Sequence, residues 1–277
     1  MSKAETGKFN GSLPNEKYTS AKLLGIFLNY CGEKGELGIE LYKYLRWVDN
    51  IVDDKETSQD LRISFINRRK NILSGDSLND ETLDLHEASM LNLPWNSLSE
   101  EYDLIVRDLL FGILDTCEFD VLNSNLDGRN SDEVATYATM LLNSAIRMTS
   151  IIVNGKDINL DDKMFEELMT DWLMIASLRD FGDDLSEGLL HFPLTQDELD
   201  ILHATDDFEE RSEIVRQQLL PNSRFEELNR QYISSLLSNS FAFFKVDLPF
   251  WQQFLCSMYN LRGVIKHSKI KYPNFEQ

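Results

Sequence analysis

Apolar residues recur at intervals of three and four along almost the whole chain, with polar and acidic residues between them. That is the period of helices buried along one face, and no convincing segment alternates with the two-residue period of a strand. The pattern predicts helices over about 17–31, 36–54, 58–74, 98–124, 131–153, 162–187, 207–219, 223–243 and 247–266. Turn or capping chemistry separates them at Thr57-Ser58-Gln59, Ser74-Gly75-Asp76, Pro94, Asp127 to Ser131, Asn154 to Asp157 and Pro221-Asn222-Ser223. With only 6 prolines and 13 glycines in 277 residues, long helices can run unbroken. The first 15 residues are polar and read as a disordered tail; residues 16–277 read as a single all-α domain.

Two stretches, Ala138 to Met148 and Trp172 to Leu178, are apolar on nearly every face. Such helices belong in the middle of a bundle, as packed core or as the wall of an apolar tunnel, and the pattern fits both.

Charge narrows the choice of partners. A formal net charge of −20 argues against nucleic acid, which is bound by an excess of lysine and arginine, and leaves at most peripheral contact with a membrane. An acidic protein that handles a polyanion must recruit cations locally. The three cysteines, Cys31, Cys117 and Cys256, lie far apart with no ligand spacing around them, so neither a disulfide framework nor a zinc site is expected. No apolar leader core opens the sequence and no run reaches the roughly 18 apolar residues of a membrane span. A cytoplasmic protein is the expectation.

Two acidic pairs change the picture further. Asp49 and Asp53 lie four apart in Arg46-Trp-Val-Asp-Asn-Ile-Val-Asp-Asp54, and Asp180 and Asp184 lie four apart in Leu178-Arg-Asp-Phe-Gly-Asp-Asp184. Four residues on a helix is one face. With 47 acidic residues, random placement alone yields roughly eight such pairs, so spacing by itself says little. The company is more telling: Trp47, Val48, Ile51 and Val52 are interleaved with the first pair, and an outward face rarely carries so many apolar residues. Paired carboxylates there repel each other unless a cation or an arginine lies between them. Magnesium takes oxygen from one or two carboxylates, substrate phosphate and water, so two such helices suit about three ions around one diphosphate. An allylic diphosphate neutralised in this way can ionise to a carbocation, which needs a dry, aromatic-lined cavity; 16 Phe, 9 Tyr and 4 Trp are enough to line one.

Tyr42-x-x-x-Arg46-x-x-Asp49-x-x-x-Asp53 resembles the first aspartate-rich motif of the squalene/phytoene synthase family, the head-to-head trans-isoprenyl diphosphate synthases. Leu178 to Asp184, with Gly188, Pro193 and Gln196-Asp-Glu-Leu199, is similar to that family's second motif and its trailing segment. Between them, Glu118-Phe-Asp120 and Ser131-Asp-Glu-Val-Ala-Thr-Tyr137 resemble the family's intervening acidic and tyrosine-containing stretches. The order and intervals agree over roughly residues 20–200. The resemblance implies an isoprenoid-synthase-like helical bundle around a central apolar cavity. It implies Asp49, Asp53, Asp180 and Asp184 as magnesium ligands, Arg46 and Arg179 on the diphosphate, Tyr42 and Tyr137 facing the prenyl groups, and Asp120 lining the cavity.

The chain departs from the family pattern at Leu173 and Ala176, where Gln and Asn are usual, and at Leu189 and His191, where Arg and Tyr are usual. Asp49-Asn50 replaces a contiguous Asp-Asp, and Asn143-Ser-Ala-Ile146 replaces a small-residue run. The implied activity is a magnesium-dependent prenyltransferase that condenses an allylic prenyl diphosphate with a second one or with another acceptor, an aromatic one included. The alternatives are a class I terpene cyclase working on one substrate and a non-catalytic relative acting as an assembly or regulatory partner. NADPH is not indicated, and chain length, acceptor and oligomeric state are not specified by the sequence. His191 is expected in a surface or capping role rather than on the diphosphate, Cys117 in the core, and Lys266 to Lys271 as a solvated helix end.

Overall fold

The computed structural model describes residues 33–54, 56–75, 87–88, 93, 95–158 and 163–239, and, toward the C-terminus, 253, 257, 261, 264–273 and 275. The expected N-terminal tail, the helix expected over 17–31 and most of the one expected over 247–266 lie outside the described residues. Within them the fold is all-α and no strand occurs.

Helix α1 (Glu33–Val52) buries Leu37, Leu41, Tyr44, Val48 and Val52, the three- and four-residue rhythm visible in the sequence. Helix α2 (Gln59–Ser74) stops at Gly75, whose φ of 74° places it in the left-handed region that a residue without a Cβ enters freely. A 3₁₀ turn (Trp95–Ser97) precedes α3 (Glu100–Leu122), where Ser99 accepts a hydrogen bond from the Tyr102 amide. Helix α4 (Ser131–Asn154) starts from a reciprocal capping box between Asn130 and Glu133, and α5 (Lys163–Ser186) follows.

The short helix α6 (Gln196–Leu202) was not among the expected ones. Its signal was present in the sequence: Thr195 and Glu198 form a second capping box. The helix expected over 207–219 divides into α7 (Phe208–Ile214) and a π turn (Val215–Leu219). Pro221 disfavours α geometry at the residue before it, and the Leu220 amide instead reaches the Val215 carbonyl at 2.7 Å. Helix α8 (Asn222–Ser238) then packs along α5.

Two apolar clusters form the core. One joins α1, α2 and α3 through Leu37, Val48, Ile66, Leu110 and Leu114. The other joins α5, α6 and α8 through Leu168, Met174, Phe181, Leu202 and Phe225. Helix α4 belongs to both, giving Val134, Tyr137 and Ala138 to the second cluster and Met148, Ile151 and Ile152 to the first. The expected burial is largely realised in 172–178, where Leu173, Met174, Ile175, Ser177 and Leu178 are buried, whereas in 138–148 only Ala138, Ser144 and Met148 are buried and the other residues are half-buried.

The loop between α3 and α4 runs beside the loop that follows α5. The Leu126 amide donates to the Gly188 carbonyl at 2.7 Å, and the Leu194 amide donates to the Arg129 carbonyl at 2.7 Å. An isolated parallel bridge pairs Arg129 with Pro193. Gly188 has φ +76°, and a Cβ there would lie 2.0 Å from the Ser124 carbonyl oxygen, so only glycine fits this crossing.

Candidate functional site: carboxylates gathered at helix ends

Both aspartate pairs sit at the C-terminal ends of their helices. Asp49 is half-buried in the last turn of α1, and Asp53 lies just beyond it, its amide donating to the Asp49 carbonyl at 2.9 Å. Asp180 and Asp184 occupy the last two turns of α5, and Glu187 continues the same face just past the helix end. A helix C-terminus carries the negative end of the macrodipole, which cations relieve, yet neither α1 nor α5 has a basic residue in its last turn. Negative charge is therefore placed where the backbone already opposes it.

The two ends face a shared set of acids. Asp184 is pushed up to about 8, first by burial, then by repulsion from Asp180, Glu187 and Asp120, with Arg179 opposing. Asp53 is pushed up to about 7, first by burial, then by Asp49, Glu187 and Asp120, with Arg46 opposing. Asp53 keeps contact with solvent, so the half-buried Asp184 is the firmer of the two. Asp49 is also raised, by burial and by Asp120 against the pull of Arg46. Asp53 and Asp184, from opposite ends of the motif-bearing region, thus both feel Asp120 of α3 and Glu187 of the loop after α5. The ends of α1, α3 and α5 lie within electrostatic reach of one another.

The two motif arginines lie against the motif aspartates. Arg46 Nη1 donates to Asp49 Oδ2, and Arg179 donates through Nε to Asp180 Oδ1 at 2.7 Å and through Nη2 to Oδ2. Tyr42 is half-buried on α1, one turn before Arg46. Among the described residues, no group of three His, Cys, Asp or Glu side chains stands close enough to hold a metal ion by itself. The donor set nevertheless fits magnesium, because that ion draws on one or two carboxylates and takes its remaining oxygens from phosphate and water. Burial first, and repulsion among the acids second, raises Asp53 and Asp184, and positive charge placed between them would relieve the second of these costs.

Behind the carboxylates lies a buried polar network. Arg129, 2% exposed, donates through Nη2 to Asp120 Oδ1 at 2.7 Å and through Nη1 to His191 Nδ1 at 2.8 Å. The Tyr137 hydroxyl donates to Asp120 Oδ2 at 2.6 Å. The Arg129 guanidinium also covers the rings of Phe119 and Tyr137 at 4.4 and 4.5 Å, and Tyr137 stacks on His191 at 5.2 Å. His191 is buried, which corrects the expected surface or capping role: its ring is drawn inward by Tyr137 and Arg129. Burial, helped by Arg129 and opposed by Asp120, holds its imidazole down at about 4. Burial, the Asp120 charge and its hydrogen bond push the Tyr137 phenol well above its usual range.

Sequence reasoning passed over Arg129 and Glu187. Arg129 stood inside Asp127-Gly-Arg-Asn-Ser, which reads as punctuation between helices. Glu187 continued the spacing of Asp180 and Asp184 by three residues, and that extension of the face was the available signal. Cys117 is half-buried, and burial with Asp49, Asp120 and Asp53 nearby raises its thiol, which suits a packing residue rather than a nucleophile. Of the departures from the family pattern, Leu173 is buried and Ala176 half-buried, so no amide projects from α5 at either position.

The C-terminal segment lies along α5 beside the second pair. Tyr272 and Phe275 pack on Phe181, and Pro273 lies 3.3 Å from where a Gly182 Cβ would stand. Lys266, Lys269 and Lys271 are exposed, as a solvated helix end requires, whereas His267 turns inward against Trp172. Burial and the nearby Arg179 and Lys266 hold its imidazole down at about 4, with Asp180 opposing. Among the described residues, no helix is long and apolar enough to cross a membrane. No family model and no curated protein sequence matches this chain. The resemblance to squalene/phytoene synthases therefore rests on the short motifs and their order.

Proposed function

We propose that this chain is a magnesium-dependent transferase acting on allylic prenyl diphosphates. The observation that supports it is that Asp53, just past α1, and Asp184, in the last turn of α5, share the acidic neighbours Asp120 and Glu187, their carboxyls being raised first by burial and then by those nearby charges. Carboxyls raised in this way mark a site in need of positive charge, and they stand on the motifs that carry the family resemblance. Bound magnesium would supply charge neutralisation for the departing pyrophosphate.

The chain's own residues divide the remaining work. Asp49, Asp53, Asp180 and Asp184 are the ligand candidates at the two helix ends. Arg46 and Arg179 exchange their aspartate partners for phosphate oxygens, a role suited to the planar fork of a guanidinium. Tyr42 and Tyr137 face the reacting prenyl groups, and Asp120 anchors the Tyr137 hydroxyl. The acceptor is a second prenyl diphosphate or another molecule, an aromatic one included; ionisation and cyclisation of one substrate would use the same residues.

A non-catalytic reading has two observations in its favour. Leu173 and Ala176 put no amide beside the second pair, and both motif arginines are engaged by aspartates. One experiment separates the readings. Purified protein is incubated with magnesium and geranyl, farnesyl or geranylgeranyl diphosphate, with and without acceptors, and pyrophosphate release and products are followed. Release with a condensed product is expected; a hydrocarbon from one substrate would indicate cyclisation. No release under any pairing would leave the non-catalytic reading. Asp180→Ala is expected to abolish release while shifting thermal unfolding little, because an ion pair as exposed as Arg179–Asp180 contributes about 0–1 kcal/mol.

A further inference from the structure

His191 is the one imidazole in the polar network, and a histidine beside a reacting group is ordinarily taken for a base. Its hydrogen bond says otherwise. The guanidinium of Arg129 has five donors and no acceptor, so the contact at 2.8 Å requires the lone pair of His191 Nδ1. The single proton of a neutral ring then resides on Nε2. The same guanidinium holds one oxygen of Asp120, whose other oxygen accepts from Tyr137.

We propose that Arg129 is a positioning residue for the candidate site: it aims the Tyr137 phenol at Asp120 and fixes His191 as a neutral imidazole that presents an N–H donor, not a base. The link to turnover rests on the proposed prenyl diphosphate chemistry; the assignment of the ring proton does not. The charged or titratable groups facing His191 are Asp120 from α3, Arg129 from the α3–α4 loop and Tyr137 from α4. The parallel bridge between Arg129 and Pro193 and the 2.7 Å bond from the Leu194 amide to the Arg129 carbonyl keep the two loops in register. Arg129 and His191 thus meet without a long flexible path between them. A site lacking an imidazole base beside the prenyl groups is one in which a carbocation is not drained of its proton by His191.

The test is ring-nitrogen NMR on the full chain labelled with ¹⁵N, with His191 assigned through His191→Gln. The expected spectrum has Nε2 protonated and Nδ1 bare, unchanged from about pH 8 to about pH 5. An Nδ1–H ring, or an imidazolium at neutral pH, in the unmodified protein would overturn the assignment with no variant needed. Arg129→Lys keeps the charge but loses the fork; mixed tautomers are expected, with kcat lowered about a hundredfold and KM moved much less. A variant that melts earlier yet keeps the ring spectrum would reduce Arg129 to a structural residue and overturn its positioning role. Absence of turnover in the unmodified protein would sink the proposed activity, while the NMR result would still judge the ring assignment.

Discussion

Among the described residues, Asp184 carries a clear electrostatic conflict. Its carboxyl titrates near 8 in the folded chain, and an unfolded aspartate titrates near 3.8. Between those values the folded state holds the proton more tightly, so stability contributed by the protonated form is lost as pH rises through the folded value. Asp53 does the same near 7. His191 and His267 act in the opposite sense below about pH 6.5, because their folded values near 4 lie under the unfolded one. Above that pH the two aspartates remain as the resolved contributors among these groups. Unfolding temperature in chelator is expected to fall from about pH 6.5 to 8.5, and magnesium is expected to restore it. Asp184→Asn, read by the same melting curves, should flatten the decline. A flat profile in the unmodified protein would mean that the carboxyls do not crowd each other. Asp49, Asp53, Asp180 and Asp184 were legible because spacing and apolar neighbours set them apart. Arg129 was not, since its partners Asp120 and His191 lie 9 and 62 positions away and only the fold brings them together.

Helices were the most legible level. Their starts carried caps the sequence displays, Ser99, Asn130, Thr195 and Asp207, and their lengths followed the apolar rhythm. Missing from the reading were α6, whose 7 residues, about two turns, are too few for periodicity to register, and the π turn, which Pro221 dictates from outside the helix. The loop crossing at Gly188 was recognised as a motif residue, but its reason is steric. Gly188→Ala is expected to lower stability by more than about 2 kcal/mol in chemical denaturation, because φ is positive and the methyl would collide with the Ser124 carbonyl. Removing the Thr195 cap by Thr195→Ala should cost only about 1 kcal/mol. A Gly188→Ala variant as stable as its parent would mean that the two loops do not cross as described.

At the scale of the whole molecule, α4 contributes to both apolar clusters, so neither can come apart without disturbing a helix the other depends on. Leu37→Ala in one cluster and Phe181→Ala in the other are expected to lower one common transition, by about 2–5 and 3–5 kcal/mol. Fluorescence of Trp47 and Trp172, which border different clusters, should follow the same curve as far-UV circular dichroism. Two separate transitions would show that α4 does not couple them. The net charge of −20 was legible at once, but the approach of Asp120 and Glu187 to the two aspartate pairs was not, because formal charge carries no address.

Asn130 and Arg129 are consecutive in the chain: the first ties off the start of α4, and the second reaches into the polar network. A replacement at residue 130 would therefore be felt twice, as a fraying first turn and as a guanidinium gone astray. Someone screening that helix for robustness would record a disordered Arg129–Asp120–His191 cluster, though no group within it had been altered.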